Sequence, residues 1–289
     1  MKIGLIDIDG KIPNLALMKL SAYHKAQGDD VELTMPPMAV NYDKVYVSKI
    51  FTWTDMPAMM GNIEEGGTGI DLKAKIPDET EALCPDYSLY PGVDYSFGFL
   101  TRGCPNNCPW CIVPEKEGNI HPAADITDFL QHKQAVLLDN NVLAHEHGIK
   151  QIEKIIKLGI RVDFNQGLDA RLIDDATARL LAKVKWYKQI RLACDSPAMM
   201  GPVEKAVKLL RKYGATPKRY LCYMLVRDDL REANERAEFL KSLNVVPFAQ
   251  PYRDREGKPP TKEQADFARW VNVRKIFWKV SFENYRGRA

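Results

Sequence analysis

The stretch Thr101-Arg102-Gly103-Cys104-Pro105-Asn106-Asn107-Cys108-Pro109-Trp110-Cys111-Ile112-Val113-Pro114 puts three cysteines inside eight residues. The spacing is C-x3-C-x2-C, with an aromatic residue directly before the last cysteine. Thiolates are soft, anionic donors suited to iron–sulfur centres. Three of them this close can hold three irons of a cubane cluster and leave the fourth iron open to a cofactor. A closed four-ligand site would instead point to structure. Gly103 lets the backbone turn into the loop, and Pro105 and Pro109 stiffen it. The competing reading is a zinc knuckle missing its fourth ligand, which His121 could complete. Structural zinc takes four ligands and favours paired C-x2-C units, so that reading is the weaker.

The other cysteines, Cys84, Cys194 and Cys222, are scattered. Cys194 and Cys222 sit in apolar, strand-like runs and read as small core residues. Acidic residues interrupt the N-terminus early, so it lacks the apolar core of a signal peptide. No run of about 18 apolar residues occurs, so no membrane span and no membrane partner are expected. The expected location is the cytoplasm, where thiols stay reduced. A net charge of +3 over 289 residues does not by itself imply nucleic acid.

Working outward, residues 1–75 read as a small Rossmann-like α/β domain. Residues 2–8 form a strand pattern, 14–27 a helix that stops at Gly28, and 31–33 and 43–50 two further strands. Residues 65–69, Glu-Gly-Gly-Thr-Gly, read as a turn or loop, and 76–93 as a linker. From residue 94 to 255 the pattern is regular. Strand-like runs at 95–100, 135–138, 161–164, 190–193, 220–226 and 245–250 alternate with helix-like segments at 126–132, 148–158, 174–184, 202–212 and 228–240. Repeats of roughly 30 residues are the size of βα units, and there is room for about six rather than eight. The expected fold is α/β: a partial, TIM-like (β/α)6 barrel behind the small N-terminal domain, with 256–289 as a basic and aromatic extension. In barrels of this kind chemistry sits on loops after the strands. The cysteine loop follows the first strand of the series.

With these residues in view, the chain resembles the radical S-adenosylmethionine (radical SAM) superfamily. The signature of that superfamily matches Cys104, Cys108, Trp110 and Cys111. The Cys-Ile-Val-Pro continuation is similar to that of tRNA methylthiotransferases. The N-terminal unit and the Thr-Arg-Gly-Cys approach to the loop look like the cobalamin-binding-domain branch. The resemblance implies a [4Fe-4S] cluster on the three cysteines and S-adenosyl-L-methionine (SAM) on the open iron. It implies reductive cleavage of SAM to methionine and a 5′-deoxyadenosyl radical, which takes a hydrogen atom from a substrate. An electron donor such as flavodoxin or ferredoxin is implied as partner.

The same resemblance suggests further cofactor contacts. Trp110 would pack beside the cluster or the adenine. The end of the second strand, Leu138-Asp139-Asn140-Asn141, replaces the common Gly-Gly-Glu; Asp139, with Asn140, would take the SAM amino group, unless Asp139 is simply a helix cap. After the third strand, 163–171 is unusually polar. Asn165, Gln166, Asp169 and Arg171 are expected in the cavity, with Arg171 able to grip a carboxylate in bidentate fashion. Asp195 and Ser196, at the fourth strand end, are candidates for the SAM ribose. Arg227, Gln250, Tyr252 and Arg253 are candidates to face the substrate. No catalytic residue is assigned.

A cobalamin domain uses Asp-x-His-x-x-Gly. The only histidine before the linker, His24, lies in a predicted helix with no aspartate two residues earlier, so cobalamin is not expected. His145 and His147 read as solvated helix-start residues. The C-terminal residues 269–288 mix bases with aromatics, a mixture that can bind nucleic acid but more simply closes the barrel bottom. No further C-x2-C array follows, which argues against methylthiolation. The substrate stays open among a small molecule, a peptide and a nucleoside. Two other readings stand beside the enzyme: a catalytically silent scaffold holding the cluster, and a zinc-stabilised nucleic-acid-binding module.

Overall fold

The computed structural model describes residues 1–285 and Gly287. Arg286 and Arg288 of the basic tail lie outside the described residues. The chain forms two compact units: Met1–Gly98 with Ala124–His132 and Arg255–Gly257, and Phe99–Ala123 with Lys133–Asp254 and the chain from Lys258.

In the first unit, β1 (Lys2–Asp7), β2 (Asp30–Leu33), β3 (Lys44–Ser48) and β4 (Ile63–Gly66) pair in the order 2-1-3-4, all parallel. The central strand carries apolar residues in succession, as a strand covered on both faces must. Ile3 and Leu5 pack with Leu17 and Met18 of α1 (Leu15–Ala26), while Ile6 packs on the other face with Ala39, Val45 and Val47. Asn14 caps α1 by accepting from the Leu17 amide. The strand β4 lies where the sequence reads as the start of a turn. Its Ile-Glu-Glu-Gly has one apolar residue, and pairing with β3 alone makes it an edge strand. Residues 76–93 hold a one-turn helix, Asp78–Glu81, and bury Leu89 against Ile3, Leu17 and Met18. His24 is buried, with Nδ1 on Asp29 (2.7 Å) and Nε2 on the Tyr46 hydroxyl (3.0 Å), so both ring nitrogens are engaged inside the unit.

The second unit repeats strand and helix. Its strands are β5 (Gln134–Leu137), β6 (Arg161–Phe164), β7 (Lys185–Trp186), β8 (Ile190–Ala193), β9 (Tyr220–Val226) and β10 (Val246–Pro251). Every pairing among them is parallel: β5 with β6, β6 with β7, β8 with β9, β9 with β10. A parallel bridge from Leu168 to Leu192 joins the continuation of β6 to β8. Parallel neighbours need crossovers. These are α2 (Glu146–Leu158), α3 (Asp175–Leu181), α4 (Met200–Lys212) and α5 (Leu230–Ser242), with α6 (Lys262–Asn272) after β10. Each helix buries one stripe; on α4 it is Val203, Ala206, Val207 and Leu210, at spacings of three and four. Burying such a Val or Leu contributes roughly 1.5–3 kcal/mol. The helix α2 ends where Gly159 takes φ 68°, a left-handed turn that costs glycine little.

In the tail the aromatics face inward. Trp270, Phe267 and Phe277 are buried together with Phe282 against them, and the Trp270 indole donates to the Val280 carbonyl (2.9 Å). Arg274, Lys275 and Lys279 stay exposed. Among the described residues no helix is long and apolar enough to cross a membrane.

Candidate functional site

The cysteine loop leaves a two-residue strand, Thr101–Arg102, which pairs antiparallel with His121–Pro122 where the loop returns. Gly103 is required at the turn. Its φ is 76°, and a Cβ there would lie 2.3 Å from the Asn119 carbonyl oxygen. The Cys104 amide donates to the Gly118 carbonyl, and Arg102 pairs with Glu117 (3.1 Å) while stacking on Phe99, so the two stems of the loop are tied. His121 is exposed, and its Nδ1 faces the Asn119 carbonyl at 3.0 Å.

Asp139 supports this loop from below. It is 4% exposed and accepts from the Leu100 amide, from the Thr101 amide (2.6 Å) and from the Thr101 hydroxyl (2.7 Å). Its carboxylate is thus engaged at the root of the cysteine loop. Burial pushes the carboxyl up to about 6, against the pull of those donors. The ordinary value is 3.8, so the folded protein takes up this proton first as pH falls. Asp139 therefore costs stability above pH 6, and the cost is relieved towards pH 4. Asp139→Asn removes the titration. Between pH 4 and pH 7 wild type is expected to lose about 2 kcal/mol relative to this variant, read from urea midpoints of the metal-free protein. Parallel pH curves would refute this.

The ends of successive strands converge on the loop. After β5, the Asn141 side-chain amide donates to the Cys104 sulfur (3.7 Å) and to Asp169 (3.2 Å). After β6, Asp169 also accepts from Asn106 of the loop (3.2 Å) and forms a two-point pair with Arg171 (2.8 and 2.7 Å). Burial alone would raise the Asp169 carboxyl; the Arg171 guanidinium outweighs it and holds the group below its ordinary value. After β8, Asp195 accepts from the Leu225 amide (2.9 Å), and burial pushes its carboxyl up. After β9, Arg227 lies over the Trp110 ring, 4.8 Å from its centroid.

The structure therefore brings Cys104, Cys108, Trp110 and Cys111 together with Asn141, Asp169, Arg171, Asp195 and Arg227. Asn140 and Ser196 are half-buried beside this group, without a side-chain hydrogen bond among the described residues. Asn165 is half-buried, with its backbone bonded to Leu137 and to the Tyr223 hydroxyl, and Gln166 is exposed. His145 caps α2 by accepting from the His147 amide. Sequence reasoning passed over Asn141, whose role depends on a loop 37 residues away. It also passed over the layer beneath: Arg191 pairs at two points with buried Asp163 (2.7 Å each) and touches the Tyr223 hydroxyl.

Do these residues suit an iron–sulfur cluster? Burial pushes the Cys108 thiol up, as does Cys111 beside it, while Arg171 opposes both. Cys111 shifts the same way by desolvation of its sulfur. Cys104 accepts from the Asn106 amide and Cys111 from the Val113 amide, both at 3.5 Å. Amide donors to sulfur are the usual companions of cluster thiolates. The buried Asn141 Oδ1 has no partner. A buried amide oxygen is rarely left unpaired, so the site lacks a donor that a ligand would bring. Among the described residues no three His, Cys, Asp or Glu side chains are drawn together around a single ion. A cubane cluster makes no such demand, since each thiolate meets a different iron. The donor set fits the cluster.

Three cysteines on one loop, ringed by polar groups from the ends of parallel strands, make up the candidate site, and sequence comparison bears on it. No family model matches the chain. It is 30% identical over 98 residues to the mitochondrial tRNA methylthiotransferase CDK5RAP1 of Rattus norvegicus, over 31% of this chain and 17% of that protein, and the Mus musculus protein matches to the same extent over 16% of its length. It is 28% identical over 102 residues to the tRNA-2-methylthio-N(6)-dimethylallyladenosine synthase of Parabacteroides distasonis, over 35% of this chain and 20% of that one. The chain thus spans at most a fifth of the length of these relatives. Among solved structures, Streptococcus suis SuiB bound to S-adenosylmethionine aligns with a TM-score of 0.44 and 14% identity, over 63% of this chain and 43% of that one. SuiB bound to the precursor peptide SuiA aligns at 0.48 and 12%, over 68% and 48%. The sequence relatives support the resemblance to the radical SAM superfamily carried by Cys104, Cys108 and Cys111.

Proposed function

We propose that the chain is a radical SAM enzyme whose second unit is a partial (β/α)6 barrel, working in the reducing cytoplasm. In this reading the small N-terminal domain holds no cobalamin. The observation that carries the proposal is the convergence of Cys104, Cys108 and Cys111 with Asn141, the Asp169–Arg171 pair and Asp195 at the C-terminal ends of parallel strands. A [4Fe-4S] cluster bound there would supply the electron that splits SAM into methionine and a 5′-deoxyadenosyl radical.

The residues divide the remaining work. Cys104, Cys108 and Cys111 would hold the irons. The amides of Asn106, Asn141 and Val113 donate to two of the sulfurs and favour the thiolate form. Arg171 adds positive charge beside Cys108. Asn141 Oδ1, buried and unpaired, would accept from the SAM ammonium, the role expected of Asp139, whose carboxylate is engaged with Leu100 and Thr101. Asn140, Asn165, Gln166, Asp195 and Ser196 would supply the remaining cofactor contacts, with Asp195 and Ser196 the candidates for the ribose. Trp110, with Arg227 over its ring, would pack beside the cluster or the adenine. Of the candidate substrates, a nucleoside in RNA is the first to try, since the curated relatives are named for tRNA.

The test is anaerobic reconstitution with iron and sulfide, then SAM and dithionite, with chromatography for 5′-deoxyadenosine. Release of that product, dependent on dithionite, is the expected result. Zinc in place of iron, with no product, would overturn the reading.

A further inference from the structure

At the other end of the parallel strands of the second unit lies a cavity of about 380 Å³ lined by Arg211, Lys218, Arg219 and Arg274. Arg211 closes α4, Lys218 and Arg219 lead into β9, and Arg274 follows α6. The cavity therefore sits at the N-terminal ends of β9 and β10, where Tyr220 and Asn244 complete its wall. No carboxylate lines it, and none of the four cations makes an ion pair among the described residues. The chain carries 38 acidic residues against 41 Lys and Arg, so carboxylates are available almost one for one. Four like charges facing one cavity without a counter-charge repel each other, and a bound anion relieves that repulsion.

One of the cations is already ordered. Arg211 Nη2 donates to the carbonyls of Leu243 (2.8 Å) and Asn244 (3.3 Å), and its guanidinium lies 5.1 Å from the Tyr220 ring. That arrangement leaves Nε–H and Nη1–H2 for a ligand. Planar guanidinium forks match phosphate oxygens in pairs, and a lysine adds a compact charge.

We propose that this cavity is a phosphate-binding site, separate from the cysteine loop. Its ligand is a phosphate ester, either of a nucleic-acid backbone or of a free phosphorylated small molecule. The site depends on neither cluster nor SAM, so its test is independent of the reaction proposed above.

The full chain is titrated with inorganic phosphate by calorimetry, and with a labelled single-stranded RNA by fluorescence anisotropy across a salt series. Arg219→Ala/Arg274→Ala is compared with wild type. Lys150→Ala, which removes an exposed cation paired with Glu146, is the control. The double variant is expected to bind phosphate at least about tenfold more weakly, with the control unchanged. If RNA supplies the phosphate, its affinity falls as well and its salt slope drops by about 1.4, roughly 0.7 for each lost contact on a single strand. If RNA binding is unchanged while phosphate binding falls, the ligand is a free phosphorylated molecule. Should the double variant melt earlier than wild type, Arg219→Gln replaces it. Wild type binding neither ligand, the variants binding both as wild type does, or an equal loss in Lys150→Ala, would each overturn the proposal.

Discussion

Cys108→Ala is expected to lower 5′-deoxyadenosine release to less than about a hundredth of wild type, because rate enhancement by a bound cofactor vanishes when the protein no longer holds it. Cys108 sits between the other two thiols, is half-buried, and is the one nearest in charge terms to Arg171. Removing it leaves two sulfurs, fewer than a cubane cluster with one open corner requires. Iron content is expected to fall with activity. Cys222→Ala is the control: Cys222 is wholly buried within β9, register-paired with Leu192, and is not one of the three loop thiols. It is expected to retain iron and product release. Equal product from Cys108→Ala and wild type would refute the assignment of these thiols, whatever the fate of the substrate.

The cysteine loop was legible because its chemistry is local. Spacing, proline and glycine in a short stretch decide where three sulfurs can go. The helices and strands of the second unit were legible for a related reason: Val203, Ala206, Val207 and Leu210 announce a helix, and residues 220–226 announce a strand, without reference to anything distant. Contacts across the sheet were not. Asp139 and Asn141 stand two residues apart after one strand, and only the register of that strand decides which meets the loop root and which meets Cys104. A polar strand end signals that something binds, but not which side chain is free to do so.

The tail shows the same limit from another direction. Its aromatics and bases are mixed in sequence, and either stacking on a base or closing a core would use them. The structure sorts them: Trp270 and Phe277 are buried, while Arg274 turns outward into a cationic cavity whose other members come from α4 and the approach to β9. No window of sequence contains that cavity. The edge strand β4 was missed because one isoleucine among two glutamates and a glycine carries no period, and its pairing depends on the exposed edge of β3.

Arg236→Leu is expected to destabilise the second unit by about 3–5 kcal/mol, the cost of breaking a buried charged network by removing one partner. Arg236 is 1% exposed on α5, yet every arm of its guanidinium is occupied. Nε donates to Glu232 (2.6 Å), Nη1 to the Cys194 carbonyl (2.7 Å) and Nη2 to the Leu225 carbonyl (2.9 Å). One side chain thus ties the ends of β8 and β9 to the helix that covers them. Leucine fills part of the volume but leaves two buried carbonyls without donors and Glu232 without its cation, each an unmet polar group. For a unit of this size the thermal midpoint should drop by roughly 10 °C. Arg236→Lys, which keeps the charge and can reach one carbonyl, should recover part of the loss. The consequence reaches the candidate site. Asp195 follows Cys194 directly, and Arg236 is among the charges that restrain the rise of its carboxyl pKa. Without that cation the carboxyl shifts further up, so any activity that needs ionised Asp195 should move its pH profile to higher pH in Arg236→Leu than in Arg236→Lys. A leucine variant that melts with wild type would show that the two carbonyls find other donors, and that the arginine is not what joins these strands.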